Sequence, residues 1–291
     1  MARALSAAAF ILGSQAAAAQ GPSVVPVETL TVTRRVLVAG DLTPAEARRR
    51  ALEQALGEAV GRALGVRVQS AQIGVVDDHD ARVRDSFVSV VQLEAAGRAT
   101  DYRVIDDRFV SEHHPSLGEQ LYVEITALVS VAHELGRADP GFTVNVALND
   151  ALFFDTGGSI DRNDEIVATI TSTRDAWLTV FGVAGDSVHL LLPNALMTDR
   201  RAYAGRPVEL PSHDWRSRGV RFRASLPPGE SDRRELLMVV ATRTPVTFTA
   251  AARRSGDTGA TASLMDIQRW LVSIPLEDRA VGFAVYEVRR R

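Results

Sequence analysis

The chain has 291 residues, 46% of them apolar and 24% charged, with a formal net charge of −3. That balance fits a globular protein with room for two domains of ordinary size, and the charge is too small to imply a nucleic-acid partner. Cysteine is absent, which excludes disulfides, thiolate metal sites, catalytic thiols and lipid attachment through an N-terminal cysteine.

Lysine is absent as well, so every fixed positive charge is an arginine. Arg3, an apolar stretch over 4–12 and Ala17-Ala18-Ala19 ahead of Gln20 have the order of a secretory signal peptide, assigned to residues 1–19. The apolar run is about half of the roughly 20 residues that span a bilayer. No later run approaches that length, so the mature chain is expected to have no transmembrane segment. The mature chain is expected to be exported, and either soluble or peripheral on something else.

Two prolines keep 20–29 extended, and residues 30–39 read as a first strand. Thr43-Pro44-Ala45-Glu46 then has the form of a capping box with proline at the first helical position. Ala47, Ala51, Ala55, Ala59 and Ala63 recur every four residues beside Leu52, Leu56, Val60 and Leu64. This predicts one amphipathic helix ending at Gly65. Strand-like runs follow at 66–76, 86–93 and 97–108, with an acidic patch, Asp77-Asp78-His79-Asp80, after the first. Residues 120–131 alternate Leu121, Val123, Ile125, Ala127, Val129 and Val131 with polar neighbours, as a half-buried strand does. The N-terminal domain, 20–135, is therefore expected to be α+β, one long helix on a small antiparallel sheet. Residues 133–141 break every period and read as a linker.

From Phe142 short strands and turns dominate, at 142–148, 165–172, 208–210, 219–226 and 235–242. Residues 177–192 read as a strongly apolar hairpin around Gly185-Asp186-Ser187, with Trp177, Phe181, Leu190 and Leu192 as core candidates. Residues 263–272 place Leu264, Ile267, Trp270 and Leu271 on one helical face before Pro275. Residues 281–288 read as a final strand. The C-terminal domain, 140–291, is expected to be a β-rich, sandwich-like unit with a late amphipathic helix.

No convergent catalytic set emerges. His79 with His113 or His114 would need three separate loops to meet around a metal. Ser212-His213-Asp214 are adjacent, whereas a triad draws on distant parts of a chain, so they read as a polar loop. Gly157-Gly158-Ser159 lacks the lysine of a phosphate loop. Asp155, Asp161 and Asp164 lie among turn residues, where aspartate serves the backbone. The arginine pairs 200–201, 233–234 and 253–254 read as solvated charge, and Arg289-Arg290-Arg291 as a weak contact for an acidic partner. His189 is expected to be satisfied or to face solvent. No catalytic, cofactor-binding or metal-ligating residue is assigned, and no cofactor is expected.

Gly158, Asn163-Asp164-Glu165, Ala176-Trp177-Leu178, Val180-Phe181, the 188–194 run, Ala204-Gly205, Leu210-Pro211, Pro227-Pro228-Gly229-Glu230, Trp270-Leu271 and Ile274-Pro275 occur in an order shared with a known family. Over 142–288 the chain resembles a bacterial exported domain of unknown function (DUF4384-like), which implies no activity and no site residues. The alanine-rich helix 47–64 followed by Val-rich and paired strands resembles the N-terminal domain of the flagellar ring assembly protein T. That likeness implies a periplasmic scaffold. The expectation is a non-enzymatic, exported cell-envelope module for protein–protein interaction, scaffold or assembly, with unidentified envelope proteins as partners. The alternatives are a periplasmic hydrolase or small-ligand-binding protein, using a pocket lined by Asp155, Asp164, His189 and Asn194, and a flagellar ring assembly factor.

Overall fold

The computed structural model describes residues 25–40, 42–64, 97–149, 152–184, 187–249 and 261–291. The strand-like runs at 66–76 and 86–93, the acidic patch with His79, Gly65 and the 253–254 pair lie outside them. Strand β1 (Val27–Leu37) leads into helix α1 (Pro44–Ala63), and a long hairpin follows, β2 (Gly97–His114) and β3 (Gly118–His133). These strands form an antiparallel sheet in the order β1-β3-β2. Thr43 and Glu46 close the helix N-terminus reciprocally, each side chain bonded to the other's backbone N–H, as the spacing predicts. Ala47, Ala51, Ala55 and Ala59 are fully buried, facing Val32, Val123, Ile125, Ala127, Val129 and Val131. The alanine stripe lets the helix lie close on the sheet, while Leu52, Leu56 and Leu64 close its flanks. Leu121, at the far end of the alternation, is exposed, because it lies next to the hairpin tip.

The remaining elements follow in chain order. They are β4 (Val144–Leu148), β5 (Phe153–Thr156), β6 (Glu165–Ile166), β7 (Ala168–Ser172), β8 (Ala176–Ala184), β9 (Ser187–Leu192), β10 (Arg201–Ala202) and β11 (Val208–Leu210), then α2 (His213–Ser217), β12 (Phe222–Arg223), β13 (Asp232–Thr242), β14 (Thr261–Ala262), α3 (Leu264–Val272) and β15 (Arg279–Arg290). One large sheet runs β14-β9-β8-β13-β15-β5, with β10 beside β8, and a small one runs β11-β7-β4. The expected strand 165–172 is split at Val167, because β6 pairs with β12 and β7 with β4 and β11. Of the expected strand 219–226 only Phe222 and Arg223 pair. The chain is predominantly β with few helices, within the α+β class.

Strand β13 shows how the large sheet is buried on both faces. Leu237, Val239 and Ala241 join Leu178, Val180, Val144 and Ile170 in one core, toward the small sheet. Leu236, Met238 and Val240 join Phe181, Val183, Ile267, Trp270 and Leu271 in another, under α3. Phe181, Phe248 and Trp270 meet edge to face, with centroids 4.8–5.7 Å apart. Burying a side chain of this size contributes roughly 1.5–3 kcal/mol. The two sheets approach so closely at Gly282 that a Cβ there would lie 2.6 Å from the Val144 carbonyl oxygen. The β8–β9 hairpin forms where the sequence places one, with Ser187 paired to Ala184 rather than in the turn, and Leu191 is the extra residue of a bulge between the pairs Val180–Leu192 and Phe181–Leu190. Leu191 packs toward Gly182, 3.3 Å from where a Cβ would stand.

The two halves touch. Residues 133–141, read as a linker, are tied to the second half: the Leu276 N–H donates to the Leu135 carbonyl at 2.8 Å, and Arg137 N–H donates to Glu277 at 3.1 Å. Arg98 of β2 donates to Gln268 of α3 at 2.8 Å and also pairs with Glu134, which binds Arg279 in turn. Two buried guanidiniums face one carboxylate. The excess positive charge is met by the Gln268 amide oxygen and by the carbonyls of Leu271 and Ile274 at the end of α3, both of which accept from Arg279. A helix C-terminus carries partial negative charge, so this is a favourable place for a cation.

Candidate interaction surface

The surface that stands out chemically is β2. Its first residues, Arg98, Ala99 and Thr100, are buried, but from Asp101 to His114 nearly every side chain is exposed. Among the described residues β2 is an edge of its sheet, and α1 lies mainly over β1 and β3, so the helix-side residues Tyr102, Val104 and Phe109 are left partly uncovered. They are 39%, 40% and 46% exposed, and Ile105 is 53% exposed. Register shifts at Thr100 and Ile105 mark bulges, which turn Ile105 out of the regular pairing with β3. Asp107 stands beside Phe109 on the helix side, while Asp101, Arg103, Asp106 and Arg108 alternate onto the other face of the sheet. Charges and bulges together protect an edge against indiscriminate strand addition, leaving side chains as the means of recognition. Arg48 of α1 pairs with Asp107 at 2.9 Å and stacks on the Phe109 ring at 4.8 Å, fixing the inner border of the strip.

The opposite face of the same sheet is polar. Glu124 of β3 lies beneath Arg35 of β1 and Arg108 of β2, one guanidinium from each neighbouring strand. Hydrogen bonds from Arg35 and then Arg108 hold its carboxyl below the usual carboxylate range. A second titratable pair lies in the large sheet, where the Tyr286 hydroxyl donates to Glu235 at 2.8 Å across β13 and β15. Burial pushes the Glu235 carboxyl up, against the opposing hydrogen bond from Tyr286. Burial and the adjacent carboxylate push the Tyr286 hydroxyl up as well.

The residues weighed from sequence do not come together. His189 is exposed on β9, opposite Thr261, whereas Asp155 lies on β5 at the other side of the sheet. Four strand spacings separate them, about 19 Å. Asn194 is consumed locally, its side chain bonded to Leu191, Leu196 and Met197 backbone groups. Asp164 accepts from the Asp155 backbone N–H at 2.7 Å, and Asn163 bridges Gly157 and Ala224, so both brace a turn. Asp161 is exposed in a short 3-10 turn. Ser212, His213 and Asp214 are not a loop: Ser212 caps α2 by accepting from the Trp215 N–H at 3.4 Å, and His213 and Asp214 point outward. His113 pairs with Glu119 at 3.3 Å near the exposed hairpin tip, and the His114 ring accepts from the Ser116 N–H at 3.3 Å. Among the described residues, no three His, Asp or Glu side chains are grouped to hold a metal. No helix among them is long and apolar enough to cross a membrane.

Trp177 is half-buried rather than a core residue, since Arg200 and Arg201 cover its ring. Phe181 and Leu192 are buried and Leu190 is partly so. Arg233 is held by Glu230, and Arg289 and Arg291 lie beside Glu287 and Asp155.

The strands of the second half carry the residues on which the family likeness rests. Residues 160–245 match the sequence model of a family described as Domain of unknown function (DUF4384). The DUF4384 segment runs from the 3-10 turn before β6 through β13, and so holds the β8–β9 hairpin and its central partner strand. It is narrower than the 142–288 likeness read from sequence, and it does not reach α3, β15 or the first half. A search of curated proteins finds no match to the chain.

Proposed function

We propose that this chain is an exported cell-envelope protein that acts as a non-enzymatic binding or scaffold module, docking other envelope proteins through the β2 strip. The observation that carries this reading is the row of exposed apolar side chains, Tyr102, Val104, Ile105 and Phe109, on an edge strand whose charges restrict what can approach. Contiguous apolar surface rimmed by charge is characteristic of protein contact sites. The leader pattern of residues 1–19 supports export. The test is cell fractionation combined with a photo-crosslinking amino acid placed at position 102 or 109 in cells. Envelope-fraction adducts at these positions, and none at exposed Asp232, are expected. A cytoplasmic location, or the same adducts at all three positions, overturns the proposal.

One observation favours a periplasmic small-ligand-binding or hydrolytic role instead. Glu235 combines a raised carboxyl pKa with a hydroxyl donor in a partly apolar setting, a combination found at working acid–base groups. That reading requires Glu235→Gln to abolish a ligand-induced rise in melting temperature. For the flagellar alternative, the strand–helix–hairpin order of the first half is the supporting feature, and unchanged motility on deletion removes it.

A further inference from the structure

A second surface lies on the large sheet, away from β2. Strand β10 continues alongside β8 where β9 ends, with Arg201 opposite Trp177. The guanidinium carbon of Arg201 lies 5.0 Å from the centroid of the Trp177 ring and 5.9 Å from that of Tyr203. Arg200 lies 5.8 Å from the Trp177 centroid on its own account. A turn in which the Arg206 N–H bonds the Tyr203 carbonyl brings Arg206 back to 5.9 Å from the Tyr203 ring. Three guanidiniums are therefore interleaved with two aromatic rings in one row, and Tyr203 is 52% exposed.

We infer that this row is a binding site for an acidic peptide segment of a partner protein. Arg200 spends one N–H on the Val246 carbonyl at 2.9 Å, whereas stacking holds Arg201 and Arg206 and leaves their in-plane N–H groups to take a carboxylate bidentately. The row is under-neutralised. Asp175 lies 3.7 Å from Arg201 and Asp199 accepts its backbone N–H, while among the described residues neither Arg200 nor Arg206 has a carboxylate partner. The overall charge of −3 opposes approach to an anionic membrane or a nucleic-acid backbone, whose fields act on the whole molecule. A short acidic segment meets only the row itself. The inference is independent of β2 and of export.

The test uses the full chain with fluorescein-labelled polyglutamate as the probe, followed by fluorescence anisotropy at about 50 mM salt. Saturable binding is expected, weakening as salt shortens the reach of the charges. Arg206→Gln, at an exposed position, is expected to weaken it about tenfold, the loss of one charge-assisted contact. Tyr203→Ala is expected to weaken it too, because both flanking guanidiniums lose their support, whereas Tyr203→Phe keeps the ring and binds as the parent does. Each variant's melting temperature is measured alongside. Equal affinity of the parent and Arg206→Gln overturns the inference, as does full affinity of Tyr203→Ala. Binding to vesicles rich in phosphatidylglycerol without binding to polyglutamate overturns it also.

Discussion

The carboxylate of Glu134 binds the guanidinium of Arg279, 145 positions further along the chain, with both side chains only 2% exposed. Arg98 shares the same oxygen, so one anion serves two buried cations that are far apart in sequence. Burial lowers the Arg279 pKa, against the field of Glu134 that raises it. Glu134→Ala leaves two uncompensated charges in the interior and is expected to destabilise by about 3 kcal/mol or more. Urea unfolding measures this. A loss within the ±0.5 kcal/mol of ordinary surface substitutions would mean that the cluster is wet and inconsequential.

Gly282 and Gly57 offer opposite outcomes for the same substitution. At Gly282 an added methyl meets the Val144 backbone oxygen, which no rotamer can move, so Gly282→Ala is expected to cost roughly 1–3 kcal/mol. Gly57 lies within α1 with nothing near its missing Cβ, so Gly57→Ala is expected to stabilise by up to about 1 kcal/mol. Thermal melts of the two variants should move in opposite directions.

Glu235 and Glu124 give stability opposite dependences on pH. The folded-state pKa of Glu235 is raised, so between its ordinary and raised values the folded state holds more protons than the unfolded state. Its contribution is present at lower pH and is lost as pH rises through the folded value. Glu124 is depressed, so its contribution is present above the ordinary value and is lost as pH falls through the folded one. Glu235→Gln keeps an acceptor for Tyr286 and removes the buried charge. It is expected to stabilise by roughly 1 kcal/mol at neutral pH and to flatten the decline on the alkaline side of the acid range. A variant whose stability tracks the parent's at every pH refutes the assignment.

The β2 strip should behave as a surface in the isolated protein. Ile105→Ser is expected to change stability by less than about 0.5 kcal/mol. Phe109→Ser loses the stacked Arg48 and is expected to cost about 0.5–1 kcal/mol. A much larger loss from Ile105→Ser would mean that the side chain is packed in solution.

Local signals suffice where local physics decides. Thr43, Pro44 and Glu46 dictate a helix start whatever lies around them, and the alternation from Val123 to Val131 assigns a buried face. The 176–192 hairpin was legible for the same reason. Sequence does not reveal cooperation between distant residues. Arg98, Glu134, Gln268 and Arg279 come from four separate segments, and nothing in the neighbourhood of any one announces the others. Strand β5 carries no local signal, because its partner, β15, lies parallel to it and far away in sequence. Trp177 has the sequence surroundings of a core residue, an apolar strand, but arginines from another turn supply its cover. Ser212-His213-Asp214 has the composition of a loop, yet Ser212 acts as a helix cap.

Strand β15 lies between β13 and β5, and it is made more than a hundred residues after β5. A ribosome-bound chain that has emerged only as far as β13 still lacks the strand against which β5 must pair, and it lacks Arg279 for Glu134. The two cores therefore cannot be sealed segment by segment as the polypeptide appears. Closing that pairing is a late, long-range event of the kind that slows β-rich proteins and keeps their precursors open.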